Sequence, residues 1–343
     1  MGISSVLPKE NINLNDLSSI YSEKDIRKII KLTGIKSVNV APENVTASDY
    51  CVAAVENLLN ELGVSRAKID AIIFVTQTPD YHIPHTSAIM QDKLGLRNDI
   101  LTFDINFGCA GYIWGLLQAY SLINTGSCNN VILCCGDTLS KFINPKDKSL
   151  RMIMGDAGTA TLISKVMCSG ESIFNFYTDG SRASELIIPA GASRNRCCHG
   201  ITDVEIVDNE GNVRTKEDLY MNGMEIFNFV LSDVKQIIER TIDECKLDKN
   251  EIDLYLFHQA NEVIVKYLAK ALNIDVSKVP LSVRDTGNTS SCTIPLLLCN
   301  QYGDEKNNIF MDNVLLCGFG TGLSVGVCYT TLANVHFCKT RFL

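Results

Sequence analysis

No stretch of this 343-residue chain approaches the roughly 18 consecutive apolar residues of a membrane-spanning helix, so no membrane association is expected. The first residues, MGISSVLPKENINL, lack the charged-then-apolar pattern of a secretory signal, and the chain is expected to be cytoplasmic. Gly2 alone does not make a myristoylation signal, because Val6 stands where Ser or Thr belongs. Positive charge is also short. A formal net charge of -8 argues against nucleic acid as a partner, since phosphate binding calls for a basic surface. Apolar residues, by contrast, make up 46% of a chain longer than one ordinary core requires, which points to two domains or a duplicated one.

The 14 cysteines would suggest disulfides in a small secreted protein. Here many lie inside apolar runs such as VILCCG and VLLCGF, where they read as small buried hydrophobes kept reduced. The group CCHG, Cys197 to Gly200, sits in a polar loop and has metal-ligating residue types. It lacks a second ligand pair at zinc-site spacing, so no metal is expected.

The chain repeats itself. Glu61 to Phe74, ELGVSRAKIDAIIF, returns as Glu244 to Phe257, ECKLDKNEIDLYLF, and at the same separation Asn130 to Cys134, NVILC, returns as Asn313 to Cys317, NVLLC. Each half is expected to run as an amphipathic helix, an I-D-led buried strand, a second helix and strand, a special turn, another helix and then N-V-[IL]-L-C. Short, continuously apolar strands separated by helix-length segments favour a mainly parallel sheet with helices on both faces. This predicts a pseudo-twofold α/β protein with halves 1–168 and 169–343 and a boundary near 165–171. The segment Ala190 to Asp218, rich in Gly, Asn, Arg and charge, breaks the repeat. It reads as a surface excursion, either covering an active-site mouth or without a role.

Three polar turns interrupt this apolar frame. In Asn106-Phe107-Gly108-Cys109-Ala110-Gly111 a cysteine precedes an apolar helix, where unsatisfied N–H groups and the helix dipole favour a thiolate; a packing role for a small residue is the other reading. In the second half a strand ends in Phe257-His258-Gln259-Ala260-Asn261, the part of an α/β sheet where sites gather, although a lone His is more often structural. The turn Asp285-Thr286-Gly287-Asn288-Thr289-Ser290-Ser291 reads by itself as a helix cap. Together Cys, His and Asn suit acyl transfer through a covalent thioester. Papain-like proteases share the order Cys, His, Asn, but their cysteine signature is absent and a duplicated α/β sheet is the wrong frame.

GCAGYIWGL around Cys109, MGDAGTATLIS at Met154 to Ser164, HQAN at His258 to Asn261, GNTSS at Gly287 to Ser291 and GFGTGLSVG at Gly318 to Gly326 resemble the β-ketoacyl-acyl-carrier-protein synthase III family of the thiolase superfamily. The resemblance spans nearly the whole chain and implies a duplicated five-layer α-β-α-β-α fold. It implies an acyltransferase without cofactor or metal: Cys109 takes an acyl group from acyl-CoA, and His258 and Asn288 stabilise the enolate formed as malonyl-acyl-carrier protein loses carbon dioxide. Backbone N–H groups of Cys109 and Thr321 are then the oxyanion hole. Asn261, Lys148 and Ile83 are implied as substrate-binding residues, Ile83 reaching the acyl pocket of the other subunit of a homodimer.

The chain also departs from the family pattern. Aligned on Thr33-Gly34-Ile35, Lys28 and Leu32 stand where the family has the Trp and Arg that hold the CoA adenine, while Lys148 keeps a basic residue near the nucleotide. Thr321 replaces a Gly, and Val263 and Asn228 stand where basic residues usually meet the carrier protein. Lys266 and Lys270, four apart on one helix, offer a smaller basic patch or a plain solvated face. These departures leave an alternative open: a relative that passes the Cys109 acyl group to a different acceptor.

Overall fold

The computed structural model describes residues 1–165, 171–305 and 308–343. In the first half the main strands are β1 (Gly2–Leu7), β2 (Ala71–Val75), β3 (Leu101–Ile105), β4 (Asn130–Asp137) and β5 (Ala157–Ser164). In the second they are β6 (Ile173–Thr178), β7 (Leu254–Phe257), β8 (Ile309–Gly320) and β9 (Ser324–Phe337). The first sheet runs β1-β5-β4-β2-β3 and the second β7-β8-β9-β6; β1 joins them by pairing with the end of β9. Besides a single turn at Lys148–Arg151, the α-helices are α1 (Glu23–Thr33), α2 (Ala47–Leu62), α3 (Thr86–Lys93), α4 (Gly111–Asn124), α5 (Gly223–Phe229), α6 (Lys235–Glu244), α7 (Glu262–Ala271) and α8 (Thr293–Tyr302).

Alternation along the buried strands sorts side chains into layers. In β2, Ala71, Ile73 and Val75 face a central core while Ile72 and Phe74 face an outer one with α2 and α3. In β7, Leu254 and Leu256 share that central core, whereas Tyr255 and Phe257 face a second outer core with the helices from α5 to α7. The central layer is α4 and α8, which contribute Ile113, Leu116 and Ala119 and Leu296, Leu297 and Leu298. A helix between two sheets is apolar over most of its circumference, which explains why YIWGLLQAYSLI and TIPLLLCNQY show little amphipathic pattern. The outer helix α2 does show one, starts in a capping box between Thr46 and Asp49 and ends at left-handed Gly63. The layers are therefore α-β-α-β-α.

Two expectations need correction. The sheets are mixed rather than mainly parallel: β2 pairs in parallel with β3 and β4, and β7 with β8, but β5 is antiparallel to β1 and β4, and β9 to β8 and β6. For β8 and β9 the reason is connection length, since the short turn from Gly320 to Ser324 returns β8 directly into β9 without the crossover a parallel pair needs. The second half also lacks a strand between α7 and the GNTSS turn. Pro280 in VPLSV has no N–H for a ladder bond and disfavours a strand there. The expected boundary near 165–171 lies largely outside the described residues. On either side of it, β5 pairs with the first sheet and β6 with the second.

The excursion folds back onto residues 142–149. Arg214 joins the buried carboxylate of Asp147 and donates to Ser149 Oγ at 2.8 Å, Lys146 pairs with Glu205 at 2.9 Å, and Leu219 N–H donates to Phe142 O at 2.7 Å. It thereby covers the segment carrying Lys148. No helix among the described residues is long and apolar enough to cross a membrane.

Candidate active site

The two central helices begin at the two special turns, so the duplicated topology brings Cys109 and Asn288 to the same end of the central layer. Cys109 lies two residues ahead of α4 and is only 6% exposed. Strand β8 passes directly over it: a Cβ built on Gly320 would stand 2.8 Å from Cys109 Cβ, and one on Gly318 2.8 Å from Ala110 Cα. Glycine is what permits this approach. Thr321 follows Gly320, and its Oγ1 lies 3.0 Å from where Gly108 would carry a Cβ, so its backbone is beside the nucleophile turn.

The Asn288 turn is held from the opposite half. Asn288 N–H donates to Ile153 O at 2.8 Å and Asn288 O accepts from Gly155 N–H at 3.0 Å, which gives the MGDAG segment its local task. Left-handed Gly287, φ 71°, permits the turn. Ser290 N–H donates to Asn288 Oδ1 at 2.9 Å, which fixes the orientation of the amide.

Ser290 is the residue that links the set. Its hydroxyl receives the Cys109 thiol at 3.9 Å, and its carbonyl accepts from Thr293 Oγ1 at 3.1 Å. Thr293 Oγ1 in turn lies 2.7 Å from His258 Nδ1. Ser290 also has φ 55°, a left-handed conformation that a non-glycine residue adopts at some cost and that concentrates at functional sites. His258 closes β7 with its N–H on Cys317 O at 2.8 Å and its ring edge-on to Phe319 at 5.2 Å. The structure therefore brings Cys109, His258 and Asn288 together, in a buried site.

Burial sets the protonation. The His258 imidazole is pushed down to about 3, which keeps it neutral. The Cys109 thiol is pushed up to about 12, chiefly by burial, with hydrogen bonding to Ser290 opposing and the charge of Asp137 adding. The thiolate expected from the helix N-terminus is therefore not the resting form. The local sequence shows the dipole but not the desolvation that outweighs it.

The remaining candidates lie elsewhere. Asn261 caps α7, its Oδ1 accepting from Ile264 N–H at 2.8 Å. Lys148 is partly exposed and paired with Asp25 of α1 at 3.3 Å. Ile83 is 87% exposed on a loop and does not line the site of its own chain. Cys197 and Cys198 are exposed and His199 pairs with Asp203 at 2.7 Å; the one three-ligand cluster among the described residues is Glu61, His336 and Cys338, where Glu61 is already paired with His336 and Arg341. Ser290, Thr293 and Asp137 were missed. The first two lie within or beside the quoted GNTSS motif, but nothing in that motif separates a contact residue from a cap.

Comparison with known proteins decides the family. A model described as 3-oxoacyl-[acyl-carrier-protein] synthase III matches residues 103–180, and its C-terminal companion matches residues 242–332. A Campylobacter jejuni protein named putative 3-oxoacyl-[acyl-carrier-protein] synthase 3 is 35% identical over 329 residues, covering 95% of this chain and 91% of its own. The chain belongs to the 3-oxoacyl-acyl-carrier-protein synthase III family. The crystal structure of 3-oxoacyl-(acyl-carrier protein) synthase from Burkholderia xenovorans superposes with a TM-score of 0.92 at 33% identity, covering 100% of this chain and 96% of that one. A β-ketoacyl-[acyl-carrier-protein] synthase III from Clostridium perfringens is 33% identical over 327 residues, 95% of this chain and 96% of its own. As a synthase III family member this chain is an acyltransferase of the condensing type with the thiolase fold, and the motifs that identify it are those that build the Ser290-linked cluster.

Proposed function

We propose that this synthase joins an acyl-CoA to malonyl-acyl-carrier protein by decarboxylative Claisen condensation through a thioester on Cys109. The observation that carries the reading is the contact of one residue, Ser290, with the thiol, the amide and, through Thr293, the imidazole. In the first half-reaction Cys109 attacks the acyl thioester, and the N–H groups of Cys109 and Thr321 receive the developing oxyanion. In the second, the amide of Asn288 and Nε2 of His258 donate to the malonyl thioester oxygen as carbon dioxide leaves, and the carbanion attacks the Cys109 thioester. A neutral imidazole donates from Nε2 only if Nδ1 is an acceptor; in this reading the single Thr293 hydroxyl proton goes to Nδ1, at 2.7 Å, rather than to Ser290 O, at 3.1 Å. No step transfers electrons or needs a group carrier other than the two thioester substrates, so the chemistry asks for no cofactor.

In this reading Lys148 and Asn261 flank the thioester's entry path. Exposed Ile83 and the open edge of β3, where Leu101 is 46% exposed, suit a homodimer in which Ile83 enters the partner's acyl pocket. An acidic carrier protein docks on α7, which begins at the HQAN motif and carries exposed Lys266 and Lys270. Retention of both His258 and Asn288 favours decarboxylative condensation over transfer to another acceptor, because simple transfer needs no pair of enolate-stabilising donors. The test is incubation with an acyl-CoA panel, peptide mass spectrometry of Cys109, then addition of malonyl-carrier protein with measurement of carbon dioxide. Acylation followed by decarboxylation is expected. No acylation by any thioester would overturn the reading, and acylation without decarboxylation would transfer it to the alternative acceptor.

A further inference from the structure

We propose that Glu61, His336 and Cys338 form a zinc site that ties the last turn of α2 to the segment following β9. The ion is structural, and the site stands independently of the acyl-thioester reading above.

The three ligands come from both halves of the chain. Glu61 lies in the last turn of α2, His336 near the end of β9 and Cys338 immediately beyond that strand. Pairing with β1 continues past the strand end: His336 N–H donates to Met1 O at 3.1 Å and Cys338 N–H to Ile3 O at 2.8 Å. Two residues apart on this extended segment, His336 and Cys338 present their side chains to the same side. That side looks toward α2, because Cys338 is fully buried in the outer core with Leu58 and Leu59. The helix is held close, since a Cβ on Gly2 would stand 2.8 Å from Leu62 Cδ1. A ring nitrogen of His336, the Cys338 sulfur and a carboxylate oxygen of Glu61 consequently all lie within 4.8 Å of one another.

A thiol, an imidazole and a carboxylate at one point are a zinc donor set, whereas magnesium and calcium prefer oxygen alone. Tetrahedral zinc, with bonds of about 2.0–2.3 Å, holds its ligand atoms about 3.4–3.6 Å apart. Glu61 Oε2 and His336 Nε2, 3.0 Å apart, have to part slightly, and the sulfur has to close by no more than about 1.3 Å. Arg341 stands 3.3 Å from the other carboxylate oxygen, Oε1, and so holds the carboxylate in place while leaving Oε2 to the ion. The side chains of His336 and Glu61 are 23% and 31% exposed, which gives the ion a way in and its fourth position to water. Burial, and next the charge of Glu61, push the Cys338 thiol up. Zinc binds it as thiolate, releases its proton to solvent and sits between the two negative groups.

The position explains why the ion takes no part in the reaction. Helix α2 starts beside the active-site end of β4, where a Cβ on Gly136 would stand 3.1 Å from Ala47 O and Asp137 meets Ser291 at 3.4 Å. From Ala47 the helix carries Glu61 to the opposite end of the sheet, about 20 Å away at 1.5 Å per residue.

The test uses the full chain with Cys197→Ser and Cys198→Ser, which removes the exposed thiols of the CCHG loop as competitors. After treatment with a chelator, titration with cobalt(II) as a spectroscopic stand-in should give a thiolate-to-cobalt band that saturates at about one equivalent and that zinc displaces. Cys338→Ser should abolish the band. Glu61→Gln, at the partly exposed end of α2, keeps the thiolate and the fold and should weaken zinc at least about tenfold. Zinc at about a hundredfold its Kd should raise Tm by about 4 °C in the parent and not in Cys338→Ser. No thiolate band with cobalt, a band that survives Cys338→Ser, or a zinc affinity unchanged in Glu61→Gln overturns the site. Binding without a rise in Tm overturns its role as a tie.

Discussion

The turn that carries Cys109 and the turn that carries Asn288 occupy matching places in the two halves, each at the start of a central helix, yet the same burial acts on them in opposite ways. Around His258 and Asn288 it is useful: it holds the imidazole neutral and leaves two hydrogen-bond donors in a site where water does not compete. Around Cys109 it is adverse, because it holds the nucleophile in its unreactive protonated form. Duplication thus supplies two equivalent positions but not two equivalent chemistries. The half that must donate hydrogen bonds works as folded, whereas the half that must supply an anion is held as a thiol, a shift that only its contact with Ser290 of the other half and its own backbone N–H oppose.

Exchange of the two ends of the site gives the largest expected effects. Cys109→Ala should abolish acylation while leaving slow decarboxylation of malonyl thioester. His258→Ala or Asn288→Asp should leave acylation and lower decarboxylation about 100- to 1000-fold, as loss of one preorganised donor does. Mass increase on Cys109 and carbon dioxide release separate the two, and equal loss of both in either variant would erase the distinction between the halves. Removing the Thr293 hydroxyl sharpens it further. Thr293→Val should slow decarboxylation about tenfold, the scale of one hydrogen bond, with acylation unchanged.

The pH dependence is subtler. Because folded His258 titrates at about 3, the second half-reaction should be flat from pH 5 to 8, where an exposed histidine near 6.5 would titrate. For stability the sign is fixed by linkage: the unfolded chain takes up the His258 proton below about 6.5 and the folded chain does not, so stability falls as pH drops from there toward 3. Thermal unfolding across that range checks it. The smallest effect is expected outside the site, where Lys266→Glu with Lys270→Glu should raise KM for the carrier protein a few-fold, more at low salt, and leave KM for acyl-CoA unchanged.

Much of the layered fold was legible in the strands. In AIIFV and LYLF every residue is apolar, which marks a strand buried on both faces, and the duplicated IDAIIF and IDLYLF marked the two halves. Strand direction was not legible, because it depends on how a chain reverses after Gly320, and neither was the loss of a strand around Pro280. At the site, Cys109, His258 and Asn288 stood out because each interrupts an apolar frame at a turn. Ser290, Thr293 and Asp137 did not, since a serine or threonine at a helix start is an ordinary cap and an aspartate at a strand end an ordinary loop anchor.

What the sequence determined by itself is therefore the kind of residue available: side-chain identity and local period survive in one dimension, a thiol, an imidazole and an amide at turns of a duplicated frame suit thioester chemistry, and the motifs around them carry the family resemblance that implies a thioester enzyme. Only the tertiary structure decided the state in which those groups wait. Protonation depends on desolvation and on neighbours brought from far along the chain: burial at the end of β7 makes the imidazole a neutral donor, and burial beneath β8 keeps the cysteine a thiol.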